Sequence, residues 1–155
     1  MSEPAMTVTN ERRLLSFEVG GARYALPIAG VIAVAEIGSI VCIPTLPMKI
    51  GGVINHRGDA LPVVRHGSLL DVEGAEASDP THVLVVEDRS TGGTRLGLPV
   101  DRVVGLVDGG PGVGSGSHPV VERRPIGGRV TGIIDPQRLI DRARELIERS
   151  LVRSE

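Results

Sequence analysis

Residues Ile50 to Val64 read IGGVINHRGDALPVV. Two apolar runs, Val53-Ile54 and Leu61 to Val64, flank Asn55-His56-Arg57-Gly58-Asp59. β-Branched residues on either side of an Asn/Gly/Asp-rich segment predict a hairpin. The Gly51-Gly52 pair before it breaks any helix and lets another backbone come close. Arg57 is the odd member, a long cation at a tight turn where a small residue would serve. Two readings of it are open. It is a solvated loop cation of little consequence, or a guanidinium held by a carboxylate elsewhere and presented at an interface, since Arg forms planar bidentate pairs.

Outward from this hairpin the chain is rich in apolar residues (41%) but poor in aromatics, with one Phe and one Tyr, so its core is Val, Ile, Leu and Ala. Gly (21) and Pro (11) exceed a fifth of the 155 residues and are dispersed between the apolar runs. Many turns between short strands predict an all-β protein. A formal net charge of −2 argues against general nucleic-acid or acidic-membrane binding. A single cysteine, Cys42, excludes an intrachain disulfide framework and fits a reducing compartment. Cys42 sits in an apolar run and reads as a buried, inert thiol. Met1 to Glu11 is polar and has no signal-peptide core, so a soluble cytoplasmic protein is expected.

Residues 1–12 read as a mobile leader. Leu14 to Val19 and Arg23 to Leu26 form strands around the Gly20-Gly21 turn. Val31 to Ile37 is a further strand, or a helical turn followed by a strand, with Glu36 near its end. Glu36 either points to solvent or needs a partner, because burying it unpaired is costly. Met48 to Gly51 and Ser68 to Asp71 are possible helical turns, and Pro44 and Pro47 bracket an irregular link. Strands follow at Thr81 to Glu87, Thr94 to Val100, Val103 to Val107, Pro119 to Ile126 and Arg129 to Ile134. The last two are joined by Gly127-Gly128. This gives about nine or ten short strands in two sets dividing near residue 75 within one domain over 13–150, followed by a tail at 151–155. Asp135-Pro136 starts a helix, with Asp as cap and Pro at the first helical position. Leu139, Ile140, Ala143, Leu146, Ile147 and Leu151 form its apolar stripe, for packing on the barrel or for a partner. Glu145 and Arg149 are spaced to pair.

Residues with chemical potential are few. Gly109 to Gly116 (GGPGVGSG) lacks the Lys-Ser/Thr ending of a phosphate-cradling loop, and reads as a flexible loop. The four histidines show no metal-ligand spacing. No nucleophile-elbow motif places a triad, and two aromatics cannot build a base-stacking platform.

Several segments then fall in one order: LLSFEVGGARYALPI, VAEI, IPTLP, IGGVINHRGDALPVV, HVLVVED and LGLPVDRVVGLVD. Together, over Leu14 to Ile147, they resemble the CheW family of bacterial chemotaxis adaptors, whose domain also recurs in CheA kinases and CheV proteins. The resemblance implies two SH3-like five-stranded β-barrel subdomains sharing a hydrophobic core, plus a C-terminal α-helix. It implies a non-catalytic chemosensory adaptor without cofactor or metal, coupling the cytoplasmic tip of methyl-accepting chemoreceptors to the regulatory domain of a CheA-type histidine kinase. It implies a Glu36–Arg57 salt bridge near the receptor-binding groove, with Val34 beside it, and kinase contact at barrel ends where Gly52, Asn55 and Gly58 shape the turn. The chain departs from the family pattern at Arg65-His66, where Asp-Leu is usual, and in its Gly-rich stretch from Val107 to Pro119. The competing reading is a stand-alone β-barrel interaction or small-ligand-binding protein outside chemotaxis, which a closed apolar pocket between the barrels would favour.

Overall fold

In the computed structural model, the residues described are 12–36, 51–64, Leu70, 80–88 and 93–153. Cys42, the Pro44–Pro47 link, Arg65-His66 and most of both short helical turns lie outside them. The strands are β1 (Arg13–Val19), β2 (Ala22–Pro27), β3 (Val31–Glu36), β4 (Gly51–His56) and β5 (Asp59–Val64), then β6 (His82–Asp88), β7 (Thr94–Val100), β8 (Arg102–Asp108), β9 (Val120–Ile126) and β10 (Arg129–Ile134). A 3-10 helix (Ile28–Gly30) links β2 to β3, and α1 (Pro136–Arg153) follows β10. The first sheet has the order β8-β1-β2-β10-β9 and the second β3-β6-β7-β5-β4.

The strand sets do not divide near residue 75. The chain lays down β1 and β2 in the first sheet, builds the whole second sheet from β3 to β7, and returns at β8. Hairpin signals report only neighbouring strands. The antiparallel β1–β8 pair and the parallel β2–β10 pair join distant segments and have no local signature.

Each sheet has a small interior of its own. Leu14, Ala25 and Ile133 fill the first, and Ile54, Leu61, Val63, Val83 and Val85 the second. The alternate faces meet in one shared core: Leu15, Phe17 and Val19 of β1, Leu84 and Val86 of β6, Leu96, Leu98 and Val100 of β7, and Ile134 of β10. Strand β6 is therefore buried on both faces, as its unbroken Val-Leu-Val-Val run requires. A Cβ on Gly97 would stand 2.9 Å from methyls of both Val63 and Val83, so glycine is what lets the second barrel close at that point. The two aromatics, Phe17 and Tyr24, sit opposite each other across β1–β2 with ring centroids 6.0 Å apart.

Helix α1 is built as its cap predicts. Asp135 Oδ2 accepts the Arg138 backbone N–H at 3.1 Å, and Pro136 occupies the first helical position. Its stripe packs on the barrel: Leu139, Ile140 and Ala143 enter the shared core, with Leu146 and Ile147 against it. Although it follows a strand of the first sheet, it packs on β6 and β7 of the second. The expected Glu145–Arg149 pair does not form among the described residues, where the helix shows a long Asp141–Arg144 contact of 3.9 Å instead. Exposed pairs gain too little to hold two long side chains together.

The Gly-rich loop after β8 is not free. Glu122 Oε1 accepts the Val113 N–H at 3.0 Å and Arg124 Nη2 at 2.8 Å, while Arg124 Nη1 donates to the Gly110 carbonyl at 3.0 Å. Arg138, from the first turn of α1, donates to the Gly114 carbonyl at 2.7 Å. A Cβ on Gly114 would overlap the Val121 carbonyl, so this glycine allows close docking rather than flexibility.

Candidate interaction surface

The β4–β5 hairpin forms in the expected register, with Asn55 opposite Ala60 and His56 opposite Asp59. That leaves Arg57-Gly58 as a two-residue turn with both φ angles positive, 53° and 86°. This is the mirror-type turn whose twist suits a hairpin, and it favours Asn or Gly at both positions. Asn55 Oδ1 accepts the Gly58 N–H at 2.9 Å and braces the turn. Arg57 is the one non-glycine residue with positive φ among those described. A side chain with a Cβ pays about 1–2 kcal/mol there, and its guanidinium is exposed. Asn55, Arg57 and Gly58 thus share the tip. Gly52 does not: it is buried along β4, opposite Val63.

Strand β3 is an edge of the second sheet, and β4 is the opposite edge. The alternation of β3 settles Val31 to Glu36 as strand and turns Ile32, Val34 and Glu36 to the exposed side, with Ile32 37% and Val34 46% accessible. Among the described ion pairs none joins Glu36 to Arg57.

Strand β8 is an edge of the first sheet and repeats this arrangement. Arg102, Val104, Leu106 and Asp108 are exposed, while Val103 and Val107 turn inward. A bulge lies between Ser16 and Phe17 of β1, which pair with Gly105 and Val103, leaving Val104 outside the ladder. Leu106 is 52% accessible and Val104 40%. Sequence reasoning missed both, because RVVGLVD is apolar on both alternating faces and nothing in it marks the outward one. Two edge strands therefore present apolar pairs with charged neighbours. Exposed edges offer unpaired backbone groups, and exposed apolar patches mark interaction sites.

An apolar groove of about 340 Å³ opens between α1 and the second sheet, with Pro62, Leu96, Ile140, Ala143 and Ile147 on its walls. Among the described residues no group of His, Cys, Asp or Glu could hold a metal ion, and no helix is long and apolar enough to cross a membrane.

A family model described as CheW-like domain matches residues 13–144. Protein FrzA of Myxococcus xanthus is 32% identical over 96 residues, covering 62% of this chain and 58% of the relative. Chemotaxis protein CheW of Rhizobium meliloti (strain 1021) is 33% identical over 106 residues, covering 66% of this chain and 65% of the relative. The chain thus matches about three fifths of the length of these curated relatives. The crystal structure of scaffolding protein TtCheW from Thermoanaerobacter tengcongensis superposes with a TM-score of 0.66 at 24% identity, covering 81% of this chain and 89% of that one. The fold is therefore the expected pair of SH3-like barrels around a shared core.

Proposed function

Because this chain belongs to the CheW-like domain family, we infer that it is a non-catalytic chemosensory adaptor, coupling chemoreceptors to a CheA-type histidine kinase in the cytoplasm. The observation that carries this reading is the pair of exposed apolar edges, Ile32/Val34 on β3 and Val104/Leu106 on β8. A protein that joins two partners needs open surfaces on a rigid frame, and barrel edges supply them without a deep cleft. The receptor tip lies against β3, with Val34 as an apolar contact and Glu36 at the end of its row. Arg57 presents its guanidinium from the strained tip of β4–β5. Backbone strain held at an exposed site, where Asn or Gly would be more comfortable, supports a role in recognition. Asn55 and Gly58 shape that tip, and Gly52 supports it through strand packing. Contacts of this size are individually weak, and an array gains strength from their number.

The test is a binding titration of the purified protein against receptor-tip fragments and kinase regulatory domains of its own organism, with Arg57→Ala alongside. Binding to both partner classes, with the receptor arm weakened in the variant and its thermal stability kept, is the expected result. Binding to neither by a folded protein would overturn the reading. The apolar groove beside α1 would then favour a small-ligand-binding protein outside chemotaxis.

A further inference from the structure

At the end of the first barrel three arginines converge on one carboxylate. Glu18 is the penultimate residue of β1, and the register places Arg23 of β2 and Arg102 of β8 directly across from it on either side. Glu18 Oε2 accepts Arg102 Nη2 at 2.6 Å, Arg23 Nη2 at 2.9 Å and Arg129 Nη1, from the start of β10, at 3.4 Å. Four strands each contribute one group, so the cluster is fixed by the sheet and not by a loop. The hydrogen bond from Arg23, then that from Arg102, holds the Glu18 carboxyl below the usual carboxylate range.

Two features are in excess of what strand-fastening requires. The first is donors. Among the described residues Arg102 uses one of its five N–H groups, Arg129 spends a second on the Gly21 carbonyl, and Arg23 Nε is buried without an acceptor. The second is exposure: the side chains of Arg102 and Arg129 are 62% and 46% accessible, where an ion pair contributes little to stability. Three cations face Glu18 and the neighbouring Asp101, whose Oδ2 accepts the Gly20 N–H. The cluster keeps a surplus of one positive charge in a chain of net charge −2. The adjoining turns are Gly20-Gly21 and Gly127-Gly128, so no side chain from them screens the guanidiniums.

We propose that this barrel end is a docking platform for an acidic segment of a partner protein, whose carboxylates pair with the guanidinium forks of Arg102 and Arg129. Planar forks match carboxylates, and forks already aligned lose less freedom on binding than free ones. Glu18 is a positioning residue: it touches no partner but holds all three guanidiniums in place. Two exposed guanidiniums from separate strands, β8 and β10, suit a polypeptide carrying several carboxylates better than a single free anion. This assignment does not rest on the chemosensory reading, and either can fail without the other.

The experiment uses the full chain and fluorescein-labelled hexaglutamate as probe, followed by anisotropy at low and high salt, with hexalysine as the control peptide. Hexaglutamate binds, hexalysine does not, and salt weakens the complex. The double variant Arg102→Gln/Arg129→Gln weakens binding about tenfold or more with its melting temperature kept, whereas Arg149→Gln, on the exposed face of α1, has no effect. Glu18→Gln weakens binding although it adds net positive charge. No effect of the double variant would overturn the platform, and it decides the matter should Glu18→Gln fail to fold. Tighter binding by Glu18→Gln would reduce the cluster to an unoriented charge patch. Competition by inorganic phosphate as effective as that by unlabelled hexaglutamate would identify a free-anion site instead of a protein one.

Discussion

Replacing Arg57 by Asn separates the conformational cost of the β4–β5 tip from its use. Arg57 adopts φ 53° in a turn whose other central residue, Gly58, is at 86°. An ordinary L residue pays about 1–2 kcal/mol in this region, and Asn pays less because its short polar side chain bonds locally. Asn-Gly is also the preferred pair for this turn type. The Arg57 side chain is exposed, and no described ion pair is lost with it. Arg57→Asn is therefore expected to stabilise the fold by about 1 kcal/mol, which for a chain of this size raises the melting temperature by about 2–4 °C. Urea denaturation followed by circular dichroism should show a higher midpoint at unchanged slope. The same variant should lose affinity for the receptor-tip fragment. A lower midpoint would mean that the guanidinium makes stabilising contacts in the free protein, which would refute the strain argument. A higher midpoint with full binding would detach the strain from recognition.

Gly97→Ala places a methyl 2.9 Å from Val63 and Val83 at the closure of the second barrel. Overpacking of this kind costs about 1–3 kcal/mol, so the urea midpoint should fall, and an unchanged midpoint would mean the two valines move aside freely. Leu106→Glu adds a charge to an exposed edge strand; stability should stay within about 0.5 kcal/mol while partner binding weakens, and retained binding would remove β8 from the interface. Glu18 and Glu122 are both held below the usual carboxylate range, chiefly by hydrogen bonds from Arg23 and Arg124 respectively. Between their folded and unfolded pKa values the unfolded chain binds more protons, so stability rises with pH. Their contribution is complete above the ordinary carboxylate value of about 4.3 and fades as pH falls through the lowered ones. The acid-side slope of the urea midpoint should flatten in Glu18→Gln/Glu122→Gln, and an unchanged slope would assign acid sensitivity to other carboxylates.

What could be read in advance was what local chemistry controls. Gly20-Gly21, Arg57-Gly58 and Gly127-Gly128 announce hairpins because few residues tolerate their backbone angles. Asp135-Pro136 and the stripe behind it announce a helix. Strand partnership was hidden, because any apolar β strand can pair with any other, and β1 finds distant β8 on one side as well as its neighbour β2 on the other. The Arg cluster was hidden for the same reason: Glu18 meets Arg102 and Arg129 from 84 and 111 residues away. The Gly-rich loop misled because glycine marks flexibility and close packing alike, and only the structure shows Val121 under Gly114. Glu36 could be placed on a strand, whereas its pairing with Arg57 came from the family resemblance alone and is not among the described ion pairs.

The order in which the strands enter the two sheets has a consequence for synthesis. The second barrel is complete in one contiguous stretch, from Val31 to Val100, and can close as soon as that stretch has emerged. The β1–β2 hairpin, made before that stretch, must wait for β8 to cover its β1 edge and for β10 to cover its β2 edge. An isolated hairpin is marginal in water, and pairing across such separations is slow. A hairpin made before the second barrel is thus secured after it, and during that interval the apolar faces of Leu15, Phe17 and Val19 depend on the already folded second barrel for cover.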